Sequence, residues 1–295
     1  MTTQLAWKEF YQNIKDPSWP VCHHINDFDT LPDCIKDEII HEHNGGIWFG
    51  LNSEEDITDF TGLYLDSENY TSSKITNLEN KFDIYTEIDD IKVYYRQDLD
   101  GGGLSLCKDY PDAIRFLYAD QCFDSCLEWC SGPGFIGFAL LTEKICNHLY
   151  LNDFFEPAIL ACNKTIDLMP ASYKNRVRTI HAESLADFPA EITFDLVVAN
   201  PPHFPNFNFL LASNNKIKNS DYRIEIDQNW KIHKNFFSNI KKYLRPNAKI
   251  VLVENINGMS PWDMKKLFDS SEFQITRCFR FNKNPLYWYC EIVLV

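Results

Sequence analysis

Basic residues are scarce where the chain begins. Residues 1–100 hold 7 Lys and Arg against 21 Asp and Glu, which accounts for the whole net charge of −14; the other 195 residues balance at 21 and 21. Such a third repels a phosphate backbone and attracts cations or basic proteins, unless it serves only to solubilise. No apolar run approaches the ~18 residues a membrane span needs. The start, MTTQLAWKEF, lacks a basic stretch followed by an apolar one, so no secretory signal is expected and the expected location is the cytoplasm. Glycine is also sparse, eleven in 295 residues. Where glycines gather, the backbone must bend sharply or approach something closely.

Aromatic residues are abundant at 15%, which excludes a disordered chain, and 295 residues suffice for one large and one smaller domain. Ten cysteines suggest a disulfide scaffold, but the chain is long for one and CFDSCLEWC buries its cysteines in an apolar run. Reduced core thiols are expected instead. Cys22, His23, His24, Cys34, His41 and His43 crowd the N-terminal third without metal-ligand spacing, so no metal is expected.

Residues 1–45 read as helical and 50–72 as polar loop. FDIYTEI (82–88) and IKVYYRQ (91–97) form a hairpin through Asp89-Asp90, followed by the loop Asp100-Gly101-Gly102-Gly103. From about 108, strands alternate with helices. Strands are expected at 125–129, 147–153, 177–183, 194–200 and 248–255, then two more at 273–281 and 286–295, paired antiparallel across Asn282-Lys283-Asn284-Pro285. The fold class is α/β: a doubly wound, Rossmann-like, seven-stranded, mostly parallel sheet with an antiparallel C-terminal strand. A smaller acidic α+β region precedes it. The expected division is 1–97 for substrate recognition and 98–295 for the chemistry.

In such a sheet ligands bind beyond the carboxyl ends of the strands. The first strand ends in Leu127-Glu128-Trp129-Cys130-Ser131-Gly132-Pro133-Gly134, a turn that lets a ligand lie on bare backbone. Strand 194–200 ends in Asn200-Pro201-Pro202-His203-Phe204. Two prolines fix φ and remove two donors, so carbonyls and the Asn200 amide form a rigid acceptor-rich rim suited to an incoming N–H group.

Together these motifs resemble the class I S-adenosylmethionine (SAM)-dependent methyltransferases. More closely they resemble the amino-methylating branch with an Asn-Pro-Pro-aromatic signature, which includes HemK-like and small-domain methyltransferases. The resemblance covers about residues 98–295 and implies SAM as cofactor. It implies that Glu128, Cys130 (where the family has its first glycine), Gly132 and Gly134 line the methionine part. Asp153 would take the ribose hydroxyls with Phe154 beside it, Glu183 and Ser184 would lie near the adenine, and Gly102 and Gly103 would close the site. Asn200, Pro201 and Pro202 would clamp the target nitrogen, with His203 or Phe204 in the place of the stacking ring and His203 as an auxiliary base. Asp227, Trp230 and His233 read as structural, with Trp230 in the core.

The acidic third favours a basic protein, a peptide or a small amine as methyl acceptor. The alternative is an adenine or guanine amine of RNA or DNA, supported by Lys174, Arg176, Arg178, Lys216, Lys218 and Arg223. A third reading is a catalytically silent SAM-fold binding module.

Overall fold

In the computed structural model, residues 82, 84–96, 99–206, 224–268, 272–279 and 287–295 are described. The expected helices of residues 1–45, the loop 50–72, the Cys/His group of the first third, Lys216, Lys218 and Arg223, and the turn at 282–285 lie outside them.

Seven strands form one sheet: β3 (Phe123–Trp129), β4 (Cys146–Asp153), β5 (Val177–His181), β6 (Phe194–Ala199), β7 (Leu244–Asn255), β8 (Phe273–Phe279) and β9 (Tyr287–Leu294). Their order is β5-β4-β3-β6-β7-β9-β8. β3 to β7 pair in parallel, while β9 inserts antiparallel between β7 and β8. The doubly wound, Rossmann-like class expected from the alternation is the one found, and the order reverses between β3 and β6. That is where such a sheet opens a crevice.

The strands are apolar on both faces because helices cover both. Along β6 and β7, Val197, Ala199, Ile250 and Leu252 enter one core with Phe236 and Phe237 of α6 (Lys231–Ile240) and Met264 of α7 (Pro261–Lys265). Leu196, Val198, Val251 and Val253 enter the other, with Tyr110 and Ile114 of α2 (Asp109–Tyr118) and Phe138 and Leu141 of α3 (Phe135–Thr142). Each Leu, Ile or Val so buried contributes about 1.5–3 kcal/mol.

The hairpin forms as expected. β1 (Ile84–Ile88) and β2 (Ile91–Tyr95) pair antiparallel around Asp89, whose φ is 49°. They make a separate two-stranded sheet. It explains α3, every residue of which is buried. One side of α3 faces the main sheet and the hairpin lies on another, sending Ile88, Ile91 and Val93 into the same core. The hairpin is also tied to α4 (Glu156–Leu168), where the Tyr94 amide donates to Thr165 Oγ1 at 2.9 Å and Lys164 Nζ to the Phe82 carbonyl at 2.5 Å.

Several boundaries differ from expectation: β3 starts at Phe123, two residues early, β5 ends at His181, two residues short of 183, and α6 and β7 differ for reasons visible in the backbone. α6 starts at Lys231, two residues late, because Asn229 and Trp230 have φ of 54° and 59° and break the helix ahead of it. β7 starts at Leu244, four residues early, because Leu244 pairs with Phe194 before an irregularity that includes Asn247 at φ 67°. Trp230 is buried in the core, as expected. No described helix is long and apolar enough to cross a membrane.

Candidate functional site

A cavity opens at the carboxyl ends of β3, β4, β5 and β6, beside the glycine loop. Of the residues singled out in the sequence, Gly103, Glu128, Cys130, Gly132, Asp153, Phe154, Glu183, Asn200 and Pro202 stand in its wall.

Backbone geometry builds the β3 side. Gly132 and Gly134 have φ of 51° and 84°, and a Cβ on Gly134 would meet Phe138 at 2.9 Å and Leu151 at 3.0 Å. Cys130 adopts φ 55°. The glycine-like path therefore persists although the residue is not glycine, at a cost of roughly 1–2 kcal/mol. Glu128 is buried, and its Oε2 accepts from the Gly137 amide at 2.7 Å. Its carboxylate thus caps the start of α3 from beneath. Gly137 has no room for more: a Cβ would lie 2.6 Å from Glu128 Oε2. Burial pushes Glu128 up to about 8, opposed by the amides of Gly137 and Ile136.

Asp153, the last residue of β4, accepts from Gly132 N at 2.8 Å through Oδ2 and from Phe155 N at 2.9 Å through Oδ1. Burial raises its pKa; those amides pull it back. Each oxygen keeps a second lone pair, so two hydroxyl donors can still be accepted. Phe154 is 43% exposed beside it, a ring available for stacking. Glu183, also exposed, lies two residues beyond β5. Ser184 is elsewhere: its Oγ accepts from Ala186 N at 3.2 Å and donates to Asn235, capping a short 3-10 turn.

The glycine loop meets the end of β6. Asp100 Oδ1 accepts from Gly102 N and Leu104 N, which shapes the turn into α1 (Gly103–Leu106). Asn200 Nδ2 donates to the Gly101 carbonyl at 3.0 Å. Gly102, at φ 97°, sits behind this contact; a Cβ there would lie 3.7 Å from Asn200 Nδ2.

Several expectations need correction: besides Ser184, neither Gly102, Gly134 nor Pro201 stands in the cavity wall. Neither His203 nor Phe204 presents a ring to the cavity. His203 is 2% exposed and Phe204 0%, and Pro201 is buried with them. The chain after the prolines turns inward, where Phe204 N bonds to the Glu225 carbonyl and Asp227 N to the Phe204 carbonyl. Gly258 packs so closely that a Cβ would lie 1.9 Å from the His203 carbonyl oxygen. Lys174, Arg176 and Arg178 lie at the entering end of β5, where the chain order put them and away from the cavity, and Arg176 spends its guanidinium on the carbonyls of Asn147 and Cys146.

Behind Asn200 runs a buried chain of side chains that the sequence reading missed. Asn200 Oδ1 lies 2.9 Å from His203 Nε2, His203 Nδ1 lies 3.0 Å from Glu254 Oε2, and Glu254 Oε1 lies 3.0 Å from His233 Nε2. His233 Nδ1 lies 2.6 Å from Asp227 Oδ2. Asp227 also accepts from the amides of Ile232 and His233, capping α6. Burial works to lower His233, but the Glu254 charge and the bonds to Asp227 and Glu254 outweigh it, and the ring is pushed up to about 9. Burial likewise works to raise Glu254; His233 and His203 together hold it below its ordinary value. One signal was present in the sequence: Glu254 ends the apolar run AKIVLV, and a buried charge needs a partner.

No curated protein sequence matches the chain. Among solved structures, TrmN from Thermus thermophilus is similar over 61% of this chain and 46% of its own, at 16% identity and a TM-score of 0.44. The chain thus spans less than half of that protein. The glycopeptide N-methyltransferase MtfA is similar over 65% of this chain and 90% of its own, at 13% identity and a TM-score of 0.49. Residues 156–291, a little under half of the chain, match the family model described as BMT5-like, rRNA (uridine-N3-)-methyltransferase. With its strand order and strand-end cavity, the chain has a doubly wound, Rossmann-like fold.

Proposed function

We propose that this chain is an enzyme, a SAM-dependent methyltransferase of the amino-methylating kind, which transfers the methyl group to a nitrogen held at Asn200. One observation carries the reading: Asp153, the backbone turn at Cys130–Pro133 and Asn200 converge on a single cavity. The residues fit the cofactor. Gly132 presents bare backbone, Asp153 keeps acceptor capacity for a pair of hydroxyls, and Phe154 and Glu183 would offer a purine a ring face and an amine acceptor. When bound, SAM supplies an electrophilic methyl on a sulfonium.

The chain's own contribution is orientation. A delocalised nitrogen is a poor nucleophile until its lone pair is aimed, and positioning is worth up to roughly 7–11 kcal/mol in well-oriented systems. The Asn200 side chain accepts an N–H of the substrate and directs that lone pair. Pro202 keeps the rim rigid. Residues 1–97 supply the recognition surface for the acceptor.

For the acceptor, the family match favours a base nitrogen of RNA, against the preference for a basic protein or small amine drawn from the acidic third. The −14 charge of residues 1–100 favours that second reading. Calorimetry tests the cofactor: wild type binds SAM at micromolar concentration and Asp153→Ala loses at least tenfold in affinity; no binding by folded wild type overturns the proposal. Transfer of labelled methyl from SAM then separates the acceptors. Label in ribosomal RNA, weakening as salt rises, supports the RNA reading; label only in protein or small amines refutes it.

A further inference from the structure

The even balance of charge over residues 101–295 conceals a segregation. Residues 228–249 hold six Lys and Arg and no Asp or Glu, in a chain whose net charge is −14. Half of this segment is α6 and the 3-10 turn that continues it, Lys241–Tyr243. α6 buries His233, Phe236, Phe237 and Ile240 on one side. At about 3.6 residues per turn, Lys231, Ser238 and Lys242 then fall in one row on the opposite side, flanked by Lys234 and Lys241. The four lysines are exposed. From Lys231 to Lys242 the row runs roughly 16 Å, at about 1.5 Å per residue.

The row begins at the cavity. Ile232, next to Lys231, stands in the same wall as Asn200. Asn235, on the side of Ile232, accepts from Ser184 Oγ at 3.0 Å, one residue from Glu183 of that wall. We infer that the exposed face of α6 is a docking surface for RNA, on which Lys231, Lys234 and Lys242 take phosphates of the strand whose base enters the cavity at Asn200. The inference rests on the RNA reading of the acceptor, and it adds where the polymer lies.

Charge and composition select this occupant. Ammonium groups are among the donors that take phosphate oxygens, and such contacts fix the register of a nucleic acid without reading its sequence. A row of this length suits a polyanion, whereas a lone phosphate would use one or two of the lysines. The centre of a protein–protein contact is poor in lysine and rich in aromatics. An interfacial helix grips a membrane with apolar side chains beside the basic ones. α6 offers neither: the exposed large apolar side chains among the described residues, such as Tyr85, Phe116 and Phe154, lie on other elements. Opposing charges are few. Lys241 pairs with Glu272 at 2.8 Å with both side chains exposed, so the pair is weak. Asp187 is exposed on the 3-10 turn at Leu185–Asp187, which packs against α6. Lys234 Nζ donates to the Asn229 carbonyl at 3.1 Å, a contact that leaves its charge uncompensated. The acidic residues of 1–100 oppose any polyanion, so this face must supply the attraction.

The test uses the full chain without SAM, a fluorescein-labelled RNA hairpin, and fluorescence anisotropy over a range of salt. Wild type binds, and its affinity falls as salt rises. Lys231→Gln/Lys242→Gln weakens binding by about tenfold or more at low salt and flattens the slope of log affinity against log salt by about 1–2. Lys174→Gln/Arg178→Gln removes two other exposed cations, from α5 (Ala171–Lys174) and β5 at the end of the sheet away from the cavity, and leaves both quantities nearly unchanged. SAM binding, read separately by calorimetry, stays at the wild-type value in both double variants and shows that they are folded. No RNA binding by wild type overturns the inference, as does equal loss in the two variants. Unchanged RNA binding in Lys231→Gln/Lys242→Gln overturns it too; lost binding to phosphatidylserine vesicles would then assign the face to a membrane. RNA binding is measured without cofactor or transfer, so a wild type that fails to bind SAM or to methylate strikes the proposed function and leaves this measurement standing.

Discussion

The two walls of the cavity are fixed by different physics. On the β3–β4 side, carboxylates take backbone amides: Glu128 takes Gly137, and Asp153 takes Gly132 and Phe155. The chain path defines that wall, and glycine-type conformations defend it. On the β6–β7 side, side chains hold side chains, from Asn200 through His203, Glu254 and His233 to Asp227. A wall held by the chain path depends chiefly on steric space, with two buried carboxyls as its titratable supports. A wall held by buried titratable groups is sensitive to a single proton and to the loss of a single partner.

The largest expected effect is on the second wall. His233→Ala leaves Glu254 and Asp227 buried without their cation, and should lower stability by about 3–5 kcal/mol in urea unfolding. A loss under 1 kcal/mol would mean that the side-chain wall is not held by charge. Next comes Gly258→Ala, which forces a Cβ into the His203 carbonyl. It should cost about 3 kcal/mol, at the upper end of overpacking penalties, seen as a lowered melting temperature.

The pH dependence follows from the signs. His233 rises from 6.5 to about 9 on folding, so its contribution is full below 6.5 and is lost as pH rises through 9. Glu128 rises from 4.5 to about 8, so its contribution is full below 4.5 and is lost as pH rises through 8. The melting temperature should therefore fall on going from pH 5 to pH 9, and Glu128→Gln should flatten the part of that slope below pH 8. An unchanged slope in the variant would remove Glu128 from the account. The smallest effect separates conformation from chemistry at one residue. Cys130→Gly relieves a left-handed residue and should gain up to about 1 kcal/mol, whereas Cys130→Val should lose more than that, both read by urea midpoints.

The backbone wall was largely legible in the sequence. Glycine and proline announce themselves, and the end of each apolar run marks where a strand stops, so Asp153, Gly132 and Asn200 were expected at one end of the sheet and stand there. The side-chain wall was not. His203 sits next to the prolines, where the family resemblance suggests a stacking ring, and nothing local says that the chain turns inward after Pro202. Its partners lie 51 residues away at Glu254 and, through that carboxylate, at His233. Pairings at that separation have no local period to betray them. Asp227 and His233 were read as structural from their helix. The partner that makes them interesting belongs to another element.

Tyr110 of α2 shows a further consequence of how the sheet meets its helices. Its buried hydroxyl lies 2.6 Å from the Ala199 carbonyl and 2.9 Å from that of Val251, and accepts from the Ala199 amide at 3.2 Å. One phenol thus ties α2 to the last residue of β6, next to Asn200. The loop and the strand end, which bound the cavity from two directions, are struts of one truss. A shift of α2 would therefore load the strand end next to the residue that would hold the reacting nitrogen.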